Sequence, residues 1–333
     1  MKAGFKYFTL LSAGGMICLL AASLQATTIV DDDFSDGDTA KTGALDTPWF
    51  TSSSSSGIEI SAGSLGLVTG TSGRGIHTVF PTQSLAIGEM IRATYTFTTP
   101  ASIDVSGSNN SSFRVGFFDN LGRLTANNLG VDPNDTRSDL CCLDATVNAS
   151  SSDQNAVYGW GQATGGPGSQ PLPGYMLDMD VYATGDAAAT GSDLNFREHN
   201  QDSLFGTGRL MSTTSRFDNI SPSGPDVGYT WAPNTEYTGS FTIARVDATT
   251  VGLRATLDGA SYINNDQFDS VDFGMFGFHV NSNKFGSSNS AGDADNGLDF
   301  SRVTIEVLPI PEPATATMVL GAVALLAGIG RRR

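Results

Sequence analysis

Apolar and polar residues alternate one by one along much of this chain. Ile91, Ala93, Tyr95 and Phe97 are interleaved with Arg92, Thr94, Thr96 and Thr98. The same period recurs at Phe113, Val115 and Phe117, at Tyr175, Leu177, Met179 and Val181, at Val251, Leu253, Ala255 and Leu257, and at Val303, Ile305 and Val307. Successive side chains of a strand point to opposite faces, so this period predicts strands with one buried face and one wet face, as antiparallel sheets have. Residues 57–61, 64–69, 76–80, 194–199, 237–244 and 273–280 add further strands, and pairs such as Asp119-Asn120 and Asp258-Gly259 supply turns between them. Apart from the two ends, no stretch sustains a 3.6-residue period. A dozen or so short strands in one domain predict an all-β, antiparallel β-sandwich, because open sheets of that size curl or split. No repeat of 20–50 residues marks a propeller or solenoid. Residues 119–156 break the alternation and are rich in Asp, Asn, Ser and Thr, which predicts a long surface excursion.

The two ends follow a different rule. Lys2 and Lys6 precede an apolar stretch over residues 8–22, and small residues follow up to Ala26. That is the order of a secretory signal peptide, over residues 1–26. At the other end, Ile310-Pro311-Glu312-Pro313 leads into an uncharged run over residues 314–330 and then Arg331, Arg332 and Arg333. About 17 apolar residues form a short membrane-crossing helix, and the positive flank stays on the cytoplasmic side. The chain is therefore expected to divide into residues 1–26, a passenger domain over 27–308 and a sorting segment over 309–333. Its middle is placed across the membrane from the arginines.

The proline-glutamate-proline triplet, the short helix and the terminal arginines resemble the PEP-CTERM sorting signal of Gram-negative bacteria. That resemblance implies processing by an exosortase, a membrane protease or transpeptidase, with transient residence in the inner membrane and delivery to the cell envelope, outer surface or extracellular matrix. The strand pattern from Asn234-Thr235-Glu236-Tyr237 through Phe241 to Arg245, then Thr250 to Gly259, with a closing strand from Leu298 to Val307, resembles concanavalin A-like and laminin-G-like jelly rolls.

Charge narrows the partners. Residues 27–310 carry all but one of the 34 acidic residues and 13 of the 18 basic ones, for a net charge of about −20. Such a surface suits neither nucleic acid nor anionic lipid, whose phosphates need a basic patch. Cys18 belongs to the signal segment, and Cys141 and Cys142 are adjacent, so they cannot staple distant parts of the chain.

Candidate chemistry gathers on three strands. If Tyr175, Leu177 and Met179 face the core, then Met176, Asp178 and Asp180 share the other face, the two carboxylates about 7 Å apart. Jelly-roll glycosidases carry a Glu-x-Asp-x-Glu strand, and here Met176 stands in the first glutamate place, which argues against a two-carboxylate mechanism. Tyr158, Trp160 and Gln162 share one face of a glycine-rich strand, and Asn195, Arg197 and His199 share one face of another. Aromatic planes beside amide and guanidinium donors are what a glycan surface needs. A solvated polar face, with Trp160 in the core, accounts for the same residues. Asp31, Asp33 and Asp36 open the domain and Asp293, Asp295 and Asp299 precede its last strand, a candidate structural calcium site if those strands are neighbours. His77, His199 and His279 show no metal-ligand spacing. The expected function is an exported, non-catalytic structural, adhesive or glycan-binding sandwich. The alternative is a secreted polysaccharide-degrading hydrolase or lyase on the same fold.

Overall fold

The computed structural model describes residues 26–38, 43–51, 58–68, 74–103, 113–120, 173–179, 181–183, 194–199, 211, 217–220, 229–258, 260–267, 270–280 and 297–311. The signal segment up to Gln25, most of the 119–156 excursion, Cys141 and Cys142, and the sorting segment from Glu312 onward lie outside the described residues.

Two large sheets, both antiparallel throughout, make the domain. With strands numbered along the chain, the first sheet contains β1 (Thr27–Asp32), β3 (Ile58–Ser61), β4 (Ser64–Val68), β6 (Glu89–Thr98), β13 (Glu236–Arg245), β14 (Thr250–Leu257), β15 (Ala260–Gln267) and β17 (Gly297–Pro309). Their order is β15-β14-β13-β6-β17-β4-β3, with β1 also beside β17. The second contains β2 (Trp49–Thr51), β5 (Arg74–Ser84), β7 (Phe113–Phe118), β8 (Gly174–Met179), β10 (Leu194–His199), β11 (Phe217–Asn219) and β16 (Asp272–Val280), ordered β11-β10-β8-β7-β16-β5-β2. A short parallel pair, β9 (Val181–Ala183) with β12 (Tyr229–Trp231), stands apart.

The predicted alternation decides which faces meet. Ile91, Ala93, Tyr95 and Phe97 of β6, Val251 to Leu257 of β14 in alternate positions, and Val303 and Ile305 of β17 are all buried in one continuous core. From the other sheet Phe113, Val115 and Phe117, then Tyr175, Leu177 and Met179, face them. Rings lock the two layers together: Tyr95 meets Phe278 edge-on at 5.1 Å, Phe97 lies 5.7 Å from Phe113, and Phe278 lies 4.3 Å from Phe300. Local turn chemistry also holds. Leu257 pairs with Ala260 across the Asp258-Gly259 turn, and Asp258 takes the positive φ of 45° that a two-residue hairpin demands.

One expectation fails. β7, β8 and residues 273–280 of β16 are buried on both faces rather than half wet. The side of the second sheet turned away from the core carries Arg114, Gly116, Phe118, Met176, Asp178, Met275, Gly277 and His279, nearly all buried. Met211 packs onto this side: a Cβ added at Gly116 would lie 3.0 Å from its sulfur and 2.6 Å from the Phe118 ring. Glycine at 116 is what lets that ring and the thioether lie flat on the sheet.

Candidate functional site

The outward side of the second sheet is where sequence-predicted site residues converge. Strand pairing sets His279 opposite Arg114, Arg114 opposite Asp178, and Asp178 opposite Asn195, one row across β16, β7, β8 and β10. Two positions along β10, Arg197 lies opposite Met176. Arg114 donates Nε to Asp178 Oδ1 at 2.9 Å, and Arg197 donates Nε to Oδ2 at 2.7 Å. Arg114 also donates Nη1 to the carbonyl of Met211. The Asp178 side chain is 1% exposed, that of Arg114 4% and that of Arg197 14%.

Asp178 therefore lies on neither the solvated face nor the open carboxylate ladder that its spacing suggested. Both of its oxygens serve guanidinium donors in a place nearly closed to water. Charge-assisted hydrogen bonds of this kind are short and strong, and a buried carboxylate without them would be untenable. Asn195 is half-buried beside it. Tyr158, Trp160, Gln162 and Asp180, the remaining predicted glycan-binding residues, lie outside the described residues.

Arg114, His77 and His279 were not assigned to this face from the sequence, whereas His199 was grouped there with Asn195 and Arg197. Arg114 fills the polar slot of an otherwise apolar hexapeptide, FRVGFF, a signal that marks an inward-held charge only once the neighbouring strand is known. His77 pairs across from Gly277 and His279 across from Gly75, so the two are diagonal neighbours on β5 and β16. Burial pushes the His77 imidazole down to about 3, so it stands neutral at ordinary pH. His199, at the far side of the sheet, meets Phe217 edge-on at 5.2 Å. Folding thus brings His77 and His279 together and leaves His199 apart from them.

One premise of the calcium expectation holds, and the aspartates described at the N-terminal corner have partners within the chain. First and last strands are indeed neighbours, β1 pairing with β17 from Thr27 opposite Val307 to Asp32 opposite Val303. Asp31, however, receives both Nε and Nη2 of Arg302 at 2.9 Å. Hydrogen bonds from the Ser35 hydroxyl and then from its N–H, the latter at 3.0 Å, hold the Asp33 carboxyl below the usual range, and Asp36 accepts the Asp38 N–H at 3.3 Å. Asp299 sits five positions along β17 from Thr304, the partner of Asp31, or roughly 17 Å away at strand rise. Asp293 and Asp295 lie outside the described residues. Among the described residues no group of three or more His, Cys, Asp or Glu is arranged to hold a metal.

The same N-terminal corner holds a different carboxylate. Asp32 is buried, accepting the Trp49 indole N–H at 2.8 Å and the Phe34 amide at 2.9 Å. Burial, reinforced by the neighbouring Asp46, pushes its pKa up to about 7.

No protein-family model and no curated protein sequence matches this chain. Among solved structures it is similar to an endo-1,3-beta-glucanase from Streptomyces sioyaensis, 12% identical over 85% of this chain and 97% of the other, with a TM-score of 0.41. It is similar to a lectin from Bauhinia forficata in complex with GalNAc, 10% identical over 86% and 100%, TM-score 0.37. The carbohydrate recognition domain of Emp46p in its potassium-bound form is a third, 7% identical over 77% and 87%, TM-score 0.39. At such identities the roles of individual residues rest on this chain's own geometry.

Proposed function

We propose that this is an exported, non-catalytic β-sandwich that binds glycan through the outward side of its second sheet. The observation that carries the reading is the Asp178 carboxylate clamped by Arg114 and Arg197 beside Asn195. It fixes the Arg197 guanidinium as a rigid, directed donor with Asn195 on the same side of the sheet, and sugar hydroxyls are recognised by donors of that kind. Asp178 spends both oxygens on arginines, which gives it the role of holding them rather than attacking a glycosidic bond. A glycan array probed with the full chain in detergent, with and without calcium, tests this. Binding to at least one glycan in both conditions is expected; no binding, or release of reducing sugar, removes it.

Delivery by the C-terminal signal belongs to the same proposal. The order Pro311-Glu312-Pro313, apolar run and triple arginine supports it, and so does the chain path. β17 runs on to Pro309, the Ile310 amide donates to the Gly88 carbonyl at 2.7 Å, and Pro311 is already exposed. The sandwich ends at the threshold of the motif, so cutting there would cost it no strand. Replacing Pro311 and Glu312, or Arg331–Arg333, is expected to leave unprocessed precursor in the membrane fraction on immunoblots. Unchanged processing and release would overturn the sorting reading.

A further inference from the structure

The Arg114–Asp178–Arg197 triad carries two positive charges and one negative. Among the described residues Asp178 is the one carboxylate paired with either guanidinium. Glu198 and Asp218, the acids flanking Arg197 and Asn219, alternate to the opposite face. A surplus charge held away from water is costly unless an anion joins it.

The two arginines differ in what they have left to give. Arg114 is spent, with Nε on Asp178, Nη1 on the Met211 carbonyl and a side chain 4% exposed. Arg197 engages Asp178 through Nε alone and is the more open of the two at 14%. The partly open part of its guanidinium presents a planar pair of N–H donors, the shape that takes a carboxylate through two parallel hydrogen bonds. Asp178 locks that plane in place, so little side-chain entropy remains to be lost on binding. Asn195, two residues back on β10 and opposite Asp178, stands on the same side of the sheet.

We propose that this face takes a carboxylate-bearing sugar, a hexuronate unit of an acidic glycan, seated on the Arg197 guanidinium. The inference rests on the glycan-binding reading and narrows it to a ligand class that the net charge of about −20 would otherwise argue against. Charges beyond about 8 Å are screened at physiological salt, so a short acidic oligosaccharide reaches the triad without feeling most of that surface.

The test is calorimetric titration of the full chain in detergent, at about 0.15 M salt, with tetragalacturonate and with its fully methyl-esterified form. The ester keeps every ring and hydroxyl and removes only the charge. The acid is expected to bind at least about 10-fold more tightly than the ester. Arg197→Gln is expected to weaken the acid roughly 10- to 100-fold, the value of a charged hydrogen-bonded pair, in a chain whose melting temperature falls but which circular dichroism shows still folded at the titration temperature. Arg197→Lys keeps the charge without the fork and should recover only part of the loss. Equal binding of acid and ester, or an unaffected Arg197→Gln, overturns the acidic ligand while leaving glycan binding intact. Binding of neither, with neutral glycans still captured on the array, does the same; binding of nothing anywhere removes both. If Arg197→Gln fails to fold, the comparison of acid with ester on the unaltered chain decides alone.

Discussion

Asp178→Asn should lower the unfolding free energy by about 3–5 kcal/mol, the usual cost of removing one partner from a buried ion pair. The amide keeps the shape of the side chain but leaves the Arg114 and Arg197 guanidiniums facing each other across a dry site. Their neighbours offer little relief, since Gly116, Met176 and Phe118 line the same side of the sheet. For a domain of this size the melting temperature should fall by roughly 10 °C, read by circular dichroism in parallel with chemical denaturation. The triple replacement Arg114→Met, Asp178→Leu, Arg197→Met should regain most of the loss, because apolar residues of similar volume often match a buried ionic cluster in stability. A change of less than about 1 kcal/mol in Asp178→Asn would show that water already reaches the triad.

The second large effect is on pH dependence. Asp32 has its folded pKa raised to about 7, chiefly by burial, against an ordinary value of 3.8. Below about pH 4 the folded and unfolded chains both hold this proton, and its contribution to stability is fully present. Between about pH 4 and pH 7 the folded chain keeps the proton while the unfolded chain releases it, so stability falls with each step upward. Above about pH 7 the group is ionised in both states and the loss is complete. The total is on the order of a few kcal/mol, since each tenfold difference in proton affinity between the two states corresponds to about 1.4 kcal/mol. Denaturant midpoints measured from about pH 4 to about pH 8 should decline through this window. In Asp32→Asn, which still offers an oxygen to the Trp49 indole, the decline should flatten and the midpoint at the alkaline end should rise toward the acidic one. An unchanged slope would assign the effect to other acids.

Both effects lie where periodicity alone is silent. The alternation around Tyr95, Leu253 and Ile305 names their faces correctly, because a strand with one core face must place every second side chain there. The Asp258-Gly259 hairpin was legible for an equally local reason, a backbone conformation that few residues tolerate. Asp178, Asn195 and Arg197 could be picked out as polar residues sharing one face of their strands. What they touch could not. The same limit applies at the N-terminal corner: adjacency of the first and last strands was legible, but the pairing of Asp31 with Arg302, at a register position no local pattern specifies, was not.

Residue type and a period of two were enough for the all-β class, the inward face of the alternating strands around Tyr95, Val115, Leu177, Leu253 and Ile305, and the acidic net charge. Folding in three dimensions was needed to cover β7, β8 and β16 on both sides and to bring Asp178 to arginines 64 and 19 positions away in the chain. Alternation settles which way a side chain points relative to its own strand. The strand beside it, the register between them and the segment lying across the outer face arise instead from pairing between distant parts of the chain, which no local pattern encodes.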